Sequence, residues 1–105
     1  MVGRIWHGWT AKQKADAYER LLRTEIFEGI HRRQIPGFLG IDLLRRDADE
    51  EVEFVTLMWF ESLDAVRAFA GEDYQVAVVP ASARALLSRF DAHSAHYEVR
   101  QRRAV

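Results

Sequence analysis

The chain has 105 residues, 49% of them apolar, which suits a single domain over 1–105. Its 15 basic and 16 acidic side chains leave a net charge of −1, which argues against a broad surface for nucleic acid or an anionic membrane. Without cysteine there is no thiolate metal site or disulfide, and without a long apolar segment or a signal peptide pattern we expect a cytoplasmic protein.

The first part of the chain predicts a strand followed by a long helix. Residues 4–9 (RIWHGW) are predicted to form the strand. Thr10 and Gln13 have the spacing of a capping box, in which the threonine caps a helix and the glutamine reaches back to it. Apolar residues then recur at spacings of three and four, which predicts that the helix runs from Ala11 to about Arg32.

A hairpin is predicted in the middle of the chain. Pro36-Gly37 is typical of a turn, and it precedes a strand over 38–46. The acidic run 47–51 is predicted to be a solvated loop that leads into a further strand over 52–60.

Two short helices and a last strand are predicted after the hairpin. Ser62 suits the N-cap of a helix over 63–70, and Pro80 suits the first turn of a helix over 81–89. The segment 72–79 between them is ambiguous between a turn, an irregular segment and a short strand. A last strand over 92–101 completes the order β-α-β-β-α-(α)-β, which predicts a ferredoxin-like α+β fold with an antiparallel sheet and helices on one face.

Both faces of this sheet are predicted to be apolar. Alternation along the first strand places Ile5, His7 and Trp9 on one face and Trp6 on the other. The strand over 52–60 also has large apolar side chains on both faces. Because the helices cover only one face, the other would expose more apolar area than is usual for a monomer. We therefore predict a homodimer in which two sheets pack face to face.

Four stretches, in this order along the chain, resemble the antibiotic biosynthesis monooxygenase domain family: RIWHGWT, PGFLGIDLLRR, EFVTLMWFESLDAVRAFAGEDY and VVPASARALLSRFDAHSAHYEV. The resemblance implies a dimeric α+β barrel with a cavity in each protomer between sheet and helices. The family includes cofactor-independent oxygenases that act on aromatic polyketides, and also haem-degrading enzymes. It therefore implies a monooxygenase-like protein that acts without a cofactor on a small, flat, apolar or aromatic substrate. A non-catalytic small-molecule-binding protein and a purely structural dimer remain open alternatives.

The two catalytic sets known in this family are incomplete in the sequence. Quinone-forming members have an asparagine four residues before the strand tryptophan and a tyrosine six after it, where this chain has Val55 and Ala65 around Trp59. Haem-degrading members have a histidine after the short helix and a tryptophan within it, and the corresponding positions of this chain are close to Val78 and Ala68. The resemblance therefore disfavours haem degradation, and any catalysis depends on other residues.

Five side chains are predicted to form a site if the protein is an enzyme. We predict that His7 faces the helices beside Trp9 and shuttles a proton, since histidine titrates near neutral pH. Tyr74 is predicted to orient a bound oxygen atom, and His96 is the third catalytic candidate. Trp9 and Trp59 are predicted to contact the substrate.

Each of these residues also has a structural interpretation. A buried histidine is commonly satisfied by one backbone or carboxylate partner. Large aromatic side chains such as Trp59 dominate protein cores, so Trp59→Ala is predicted to cost about 3–5 kcal/mol. His93 and His96 share a face only on a helix, so no metal site is predicted on a strand.

Overall fold

The computed structural model describes residues 1–105 and contains an antiparallel sheet covered by helices on one face. The strands are β1 (Val2–Ala11), β2 (Phe38–Asp47), β3 (Glu51–Phe60), β4 (Arg89–Phe90) and β5 (Ala95–Glu98). The helical elements are α1 (Lys12–Leu21), a π-helical segment (Leu22–Ile26), α2 (Phe27–Arg32), α3 (Leu63–Ala70) and α4 (Ala81–Arg84). None of the helices is long and apolar enough to cross a membrane.

The strand order confirms the predicted ferredoxin-like fold class. β1 pairs antiparallel with β3 along its whole length, and β2 pairs with the other edge of β3. On its second edge β1 pairs with β4 near Gly8 and with β5 between Val2 and Ile5. Two short strands, β4 and β5, thus occupy the edge of the sheet beside β1.

The predicted capping box at Thr10 is wrong. Thr10 lies within β1 and is fully buried, and its Oγ1 makes no hydrogen bond. The helix instead begins after Ala11, which provides no side-chain cap. The β1–β3 ladder continues through both residues, opposite Val52 and Glu51, so strand pairing takes the place of the cap.

The second half of the chain confirms one predicted cap and corrects one helix. Oγ of Ser62 accepts a hydrogen bond from the backbone N–H of Ala65, as expected for the N-cap of α3. The helix predicted over 81–89 is shorter and ends at Arg84. The chain beyond it joins the sheet as β4, because the backbone N–H of Ser88 donates to the carbonyl of Trp9.

The hydrophobic core lies between the helices and the sheet in two clusters. In the first, the rings of Tyr18 and Phe54 meet edge to face with centroids 4.9 Å apart. In the second, Phe60 packs between Phe38 and Phe69 at centroid distances of 5.5 and 5.8 Å. Because Phe54 and Phe60 are fully buried, these two side chains identify the face of β3 that the helices cover.

The predicted alternation along β1 is right, but the assignment of its two faces is wrong. Trp6 and Gly8 stand opposite Thr56 and Phe54, so they lie on the helix-covered face. The other face, with Ile5, His7 and Trp9, has no helix over it. We call this second face the open face; its β1 and β3 side chains come from Ile5, His7, Trp9, Glu53, Val55, Leu57 and Trp59.

Candidate functional site

Three of the five predicted site residues lie on the open face and do not line a cavity. His7 Nδ1 lies 2.9 Å from Oε2 of Glu53, which is the carboxylate partner of the structural interpretation. Trp9 stacks on His7 with ring centroids 6.0 Å apart. Trp59 is half-buried, and its Nε1 donates to Oδ2 of Asp42 at 2.9 Å. The prediction that His7 and Trp9 face the helices is therefore wrong.

The charged groups around His7 form a local network on the open face. Glu53 also accepts a hydrogen bond from Arg46 at 2.6 Å. Hydrogen bonding from His7, and then from Arg46, lowers the pKa of the Glu53 carboxyl below its usual value. The guanidinium of Arg89 lies 3.9 Å above the ring of Trp9. His7 and Arg46 thus share the Glu53 carboxylate as a partner within the protein.

An apolar cavity of about 70 Å³ lies on the helix-covered face, between the helices and the sheet. Twelve of the 16 residues that line it are hydrophobic. β1 contributes Trp6, β3 contributes Met58, and the π-helical segment contributes Leu22 and Ile26. The cavity thus has the apolar walls and the position that the family resemblance implies.

A few polar side chains interrupt the apolar lining. They are Arg4, Thr56 and Ser94, together with the phenol of Tyr18. Burial raises the pKa of Tyr18 above its usual value, so the phenol stays protonated at neutral pH. No aspartate or glutamate lines the cavity.

Arg4 is the one buried arginine, with 4% of its surface exposed. Its Nη1 donates to the carbonyl of Tyr74 at 2.5 Å and lies 2.9 Å from Nε2 of His96. Its Nη2 donates to the carbonyl of Val76 at 3.4 Å, and its Cζ lies 5.4 Å from the ring centre of Phe69. Burial lowers the pKa of Arg4 to about 10, so the guanidinium remains charged at neutral pH.

The other two predicted catalytic residues, Tyr74 and His96, meet beside Arg4. Their rings are perpendicular with centroids 5.0 Å apart. Because a guanidinium only donates, Nε2 of His96 must accept, which puts the imidazole proton on Nδ1. Burial, and then the charge of Arg4, lowers the pKa of His96 below its usual value.

Tyr74 and His96 line a surface depression next to the cavity, and they do not line the cavity itself. Ser94 belongs to the walls of both spaces, and Arg4 reaches from the cavity to His96. Of the five predicted residues, Tyr74 and His96 therefore contact a residue of the cavity wall, Arg4.

Sequence reasoning missed two functional candidates, Arg4 and Tyr18. A signal for Arg4 is present, since it is the one charged residue in the apolar segment from Met1 to Trp9. Tyr18 lies at helical spacing from Ala15 and Leu22 in the helix predicted over 11–32, and a buried phenol in such an apolar stripe needs a polar partner or a ligand. Neither signal indicates which sheet face the helices cover.

Comparisons with known proteins agree with this architecture. A family model described as antibiotic biosynthesis monooxygenase matches residues 1–81. A search of curated proteins finds no significant match. Among solved structures, a candidate antibiotic biosynthesis monooxygenase from Bacillus cereus has a TM-score of 0.67 at 16% identity, covering 99% of this chain and 97% of its own.

Two further solved structures are similar to the chain. The haem degrader MhuD from Mycobacterium tuberculosis, which has two haems bound, has a TM-score of 0.59 at 22% identity and covers 99% of this chain and 100% of its own. SnoaB from Streptomyces nogalater, a cofactor-independent oxygenase, has a TM-score of 0.60 at 20% identity and covers 96% and 95%. At these identities the likeness establishes the fold and not the activity.

The residues around the cavity do not fit a haem. No histidine or cysteine lines it, and Val78 stands near the position where haem-degrading members have their histidine. A volume of about 70 Å³ holds only a few atoms of a ligand. No group of three or more His, Cys, Asp or Glu side chains in the chain could hold a metal ion.

Proposed function

Because the chain belongs to the antibiotic biosynthesis monooxygenase family, we propose that it is a monooxygenase-like protein that binds a small, flat, apolar or aromatic substrate in the cavity. The observation that carries the proposal is the cavity lining, with apolar walls and the polar groups of Arg4, Tyr18, Thr56 and Ser94. Small-molecule sites in proteins combine these two features. The proposed reaction uses dioxygen and no cofactor.

The cavity must widen before it accepts an aromatic ring. Its volume of about 70 Å³ corresponds to roughly two water molecules, whereas benzene occupies an engineered cavity of about 150 Å³. Part of its wall is the π-helical segment Leu22–Ile26, and interruptions of this kind occur frequently at functional sites. We place the opening at this segment, where the helix can return to α geometry and turn Leu22 and Ile26 away.

The proposed chemistry separates substrate positioning from proton transfer. The protonated phenol of Tyr18 would donate a hydrogen bond to a substrate oxygen. His96 is the proposed proton acceptor, because it is neutral and its Nε2 becomes available when Arg4 turns toward a substrate. Tyr74 would hold the imidazole through the edge-to-face contact. The apolar walls would exclude water from the reacting atoms.

Oxygen uptake with a panel of fused-ring phenols, measured with and without a metal chelator, tests this proposal. We expect at least one phenol to be oxidised at a rate that the chelator leaves unchanged. His96→Gln should abolish turnover, whereas His93→Gln, an exposed histidine outside the cavity, should retain it. Phenols that bind without oxygen uptake would overturn the enzymatic part of the proposal, and the absence of any binding would overturn all of it.

We also propose that the open face packs against the open face of a second copy. Leu44 and Tyr97 add to it side chains that are 49% and 59% exposed, and the family resemblance implies such a dimer. Sedimentation at micromolar concentration should give twice the chain mass of 12.2 kDa. Leu57→Glu should yield monomers, whereas Leu63→Glu on α3 should leave the dimer intact. A compact wild-type monomer would contradict this proposal.

A further inference from the structure

We propose that the ligand of the cavity is an acid, a flat apolar molecule with one anionic oxygen group that pairs with the guanidinium of Arg4. The inference depends on the proposed function, since it names the substrate class of the same cavity. Three observations support it: the charge of Arg4 has no counter-ion in the protein, some of its N–H donors are free, and no acidic side chain lines the cavity.

The charge of Arg4 has no counter-ion in the protein. Its hydrogen-bond partners are two backbone carbonyls and a neutral imidazole, and it takes part in none of the ion pairs of the chain. The arginines that do form ion pairs are all more exposed than Arg4, including Arg45 and Arg89. A buried charge is costly unless it is paired, so the missing partner is expected to be an anion.

The donors of Arg4 that remain free suit a carboxylate. A guanidinium has five N–H groups, of which Nη1 uses two, on the carbonyl of Tyr74 and on His96, and Nη2 uses one on the carbonyl of Val76. The Nε–H and one Nη2–H make no hydrogen bond with the protein. An Nε–H and an Nη2–H on one edge of a guanidinium form the planar fork that binds both oxygens of a carboxylate.

The free edge of Arg4 is open to a ligand. Thr10 Oγ1 is the one side-chain polar atom that is both sealed from solvent and without a hydrogen bond. Nε of Arg4 makes no hydrogen bond either but is not sealed in this way, and the space that Arg4 lines is the cavity.

The surroundings keep this end of the cavity positive. No acidic side chain lines the cavity, and the imidazole of His96, which accepts a hydrogen bond from Arg4, adds no negative charge. The aromatic ring of Phe69 packs against Arg4 from another side and offers no charge. An anionic oxygen at the polar end and an apolar body along the walls would satisfy both parts of the lining.

Matched pairs of acids and neutral amides test the inference, since each pair differs little in shape. The probes are benzoate against benzamide and 1-naphthoate against 1-naphthamide, with binding followed by calorimetry and by the change in tryptophan emission, to which Trp6 in the cavity wall contributes. Charge-assisted hydrogen bonds predict that each acid binds at least about 10-fold more tightly than its amide. Arg4→Gln should remove this preference, and Arg20→Gln, an exposed arginine of α1, should retain it.

The outcomes separate this inference from the proposed function. Equal binding of acids and amides by the wild-type protein would overturn the inference and leave the cavity as a ligand site. Failure of every probe to bind would overturn both. An acid preference that persists in Arg4→Gln would also overturn the inference. If Arg4→Gln does not fold, Arg4→Lys, which keeps the charge but not the fork, should show a smaller acid preference than the wild type, and an unchanged preference would contradict the inference.

Discussion

Gly8 determines the position of Trp6 in the wall of the cavity, and Gly8→Ala tests this. A Cβ at position 8 would lie 2.9 Å from Cη2 of Trp6 and 3.0 Å from Cδ2 of Leu87, which is closer than carbon atoms normally approach. The indole cannot yield easily, because its Nε1 donates to the carbonyl of Asp91 at 2.7 Å and its ring packs on Phe90. The added methyl therefore pushes Trp6 into the cavity or breaks its hydrogen bond.

The expected change in unfolding free energy follows from three contributions. Extra volume in a packed core costs about 1–3 kcal/mol, and loss of the Trp6 hydrogen bond costs about 1 kcal/mol. Alanine restricts the unfolded chain relative to glycine, which returns about 0.5–1 kcal/mol. We expect Gly8→Ala to destabilise the protein by about 2 kcal/mol, which lowers Tm by roughly 8–16 °C in a domain of this size.

Urea and thermal unfolding, followed by circular dichroism and tryptophan emission, measure the effect, and Gly40→Ala is the matched control. Gly40 is also a strand glycine, but no atom lies within 4 Å of its Cβ position, so its change should stay within about 0.5 kcal/mol. Gly8→Ala should also weaken the binding of 1-naphthamide, because Trp6 takes up cavity space. An unfolding midpoint and an emission spectrum like those of the wild type would show that Trp6 moves freely and that the reasoning is wrong.

Three further predictions follow from other residues. Gly29→Ala should raise the unfolding free energy by about 0.5–1 kcal/mol, because the α2 glycine has open space at its Cβ; a lower Tm would contradict this. Since His7 and Arg46 lower the pKa of Glu53, its contribution to stability is present above the ordinary pKa of 4.5 and is lost as the pH falls through the lower folded value. In Glu53→Gln, Tm should therefore fall less steeply below that pH than in the wild type. The same fall of Tm in both proteins would show that Glu53 does not contribute in this way. Ile26→Ala should lose about 2 kcal/mol of stability yet bind 1-naphthamide more tightly in calorimetry, because the half-buried side chain narrows the cavity; weaker binding would count against an opening there.

The fold could be predicted from the sequence because its signals are local. The strands over 38–46 and 52–60 flank an acidic turn, and Ser62 caps the next helix as its residue type suggests. The errors occur where tertiary pairing competes with a local signal. Thr10 has the capping pattern, yet its backbone pairs with Val52 in the sheet. The helix predicted over 81–89 ends at Arg84, and Arg89 at its predicted end lies in β4.

The facing of β1 could not be predicted from alternation alone. A period of two divides side chains into two sets, but only the packing of the helices decides which set is covered. Ile5 and Trp9 make one set look more apolar, whereas the covered set contains a charged residue, Arg4, and Gly8, which has no side chain. Gly8 belongs to the core because the Trp6 ring fills the space beside it, and this cannot be deduced from residue types.

The contrast between His7 and His96 shows how partners decide between the structural and the functional interpretation of a histidine. Nδ1 of His7 is bound to a carboxylate on the open face, away from the cavity, as the structural interpretation expects. His96 is bound to a cation whose own charge is unpaired, and the lowered pKa keeps the imidazole neutral. An anion that binds Arg4 would change the environment of His96, because it would neutralise the positive charge beside the imidazole. The surroundings of His96 therefore support a role in proton transfer better than those of His7, for which the sequence suggested it.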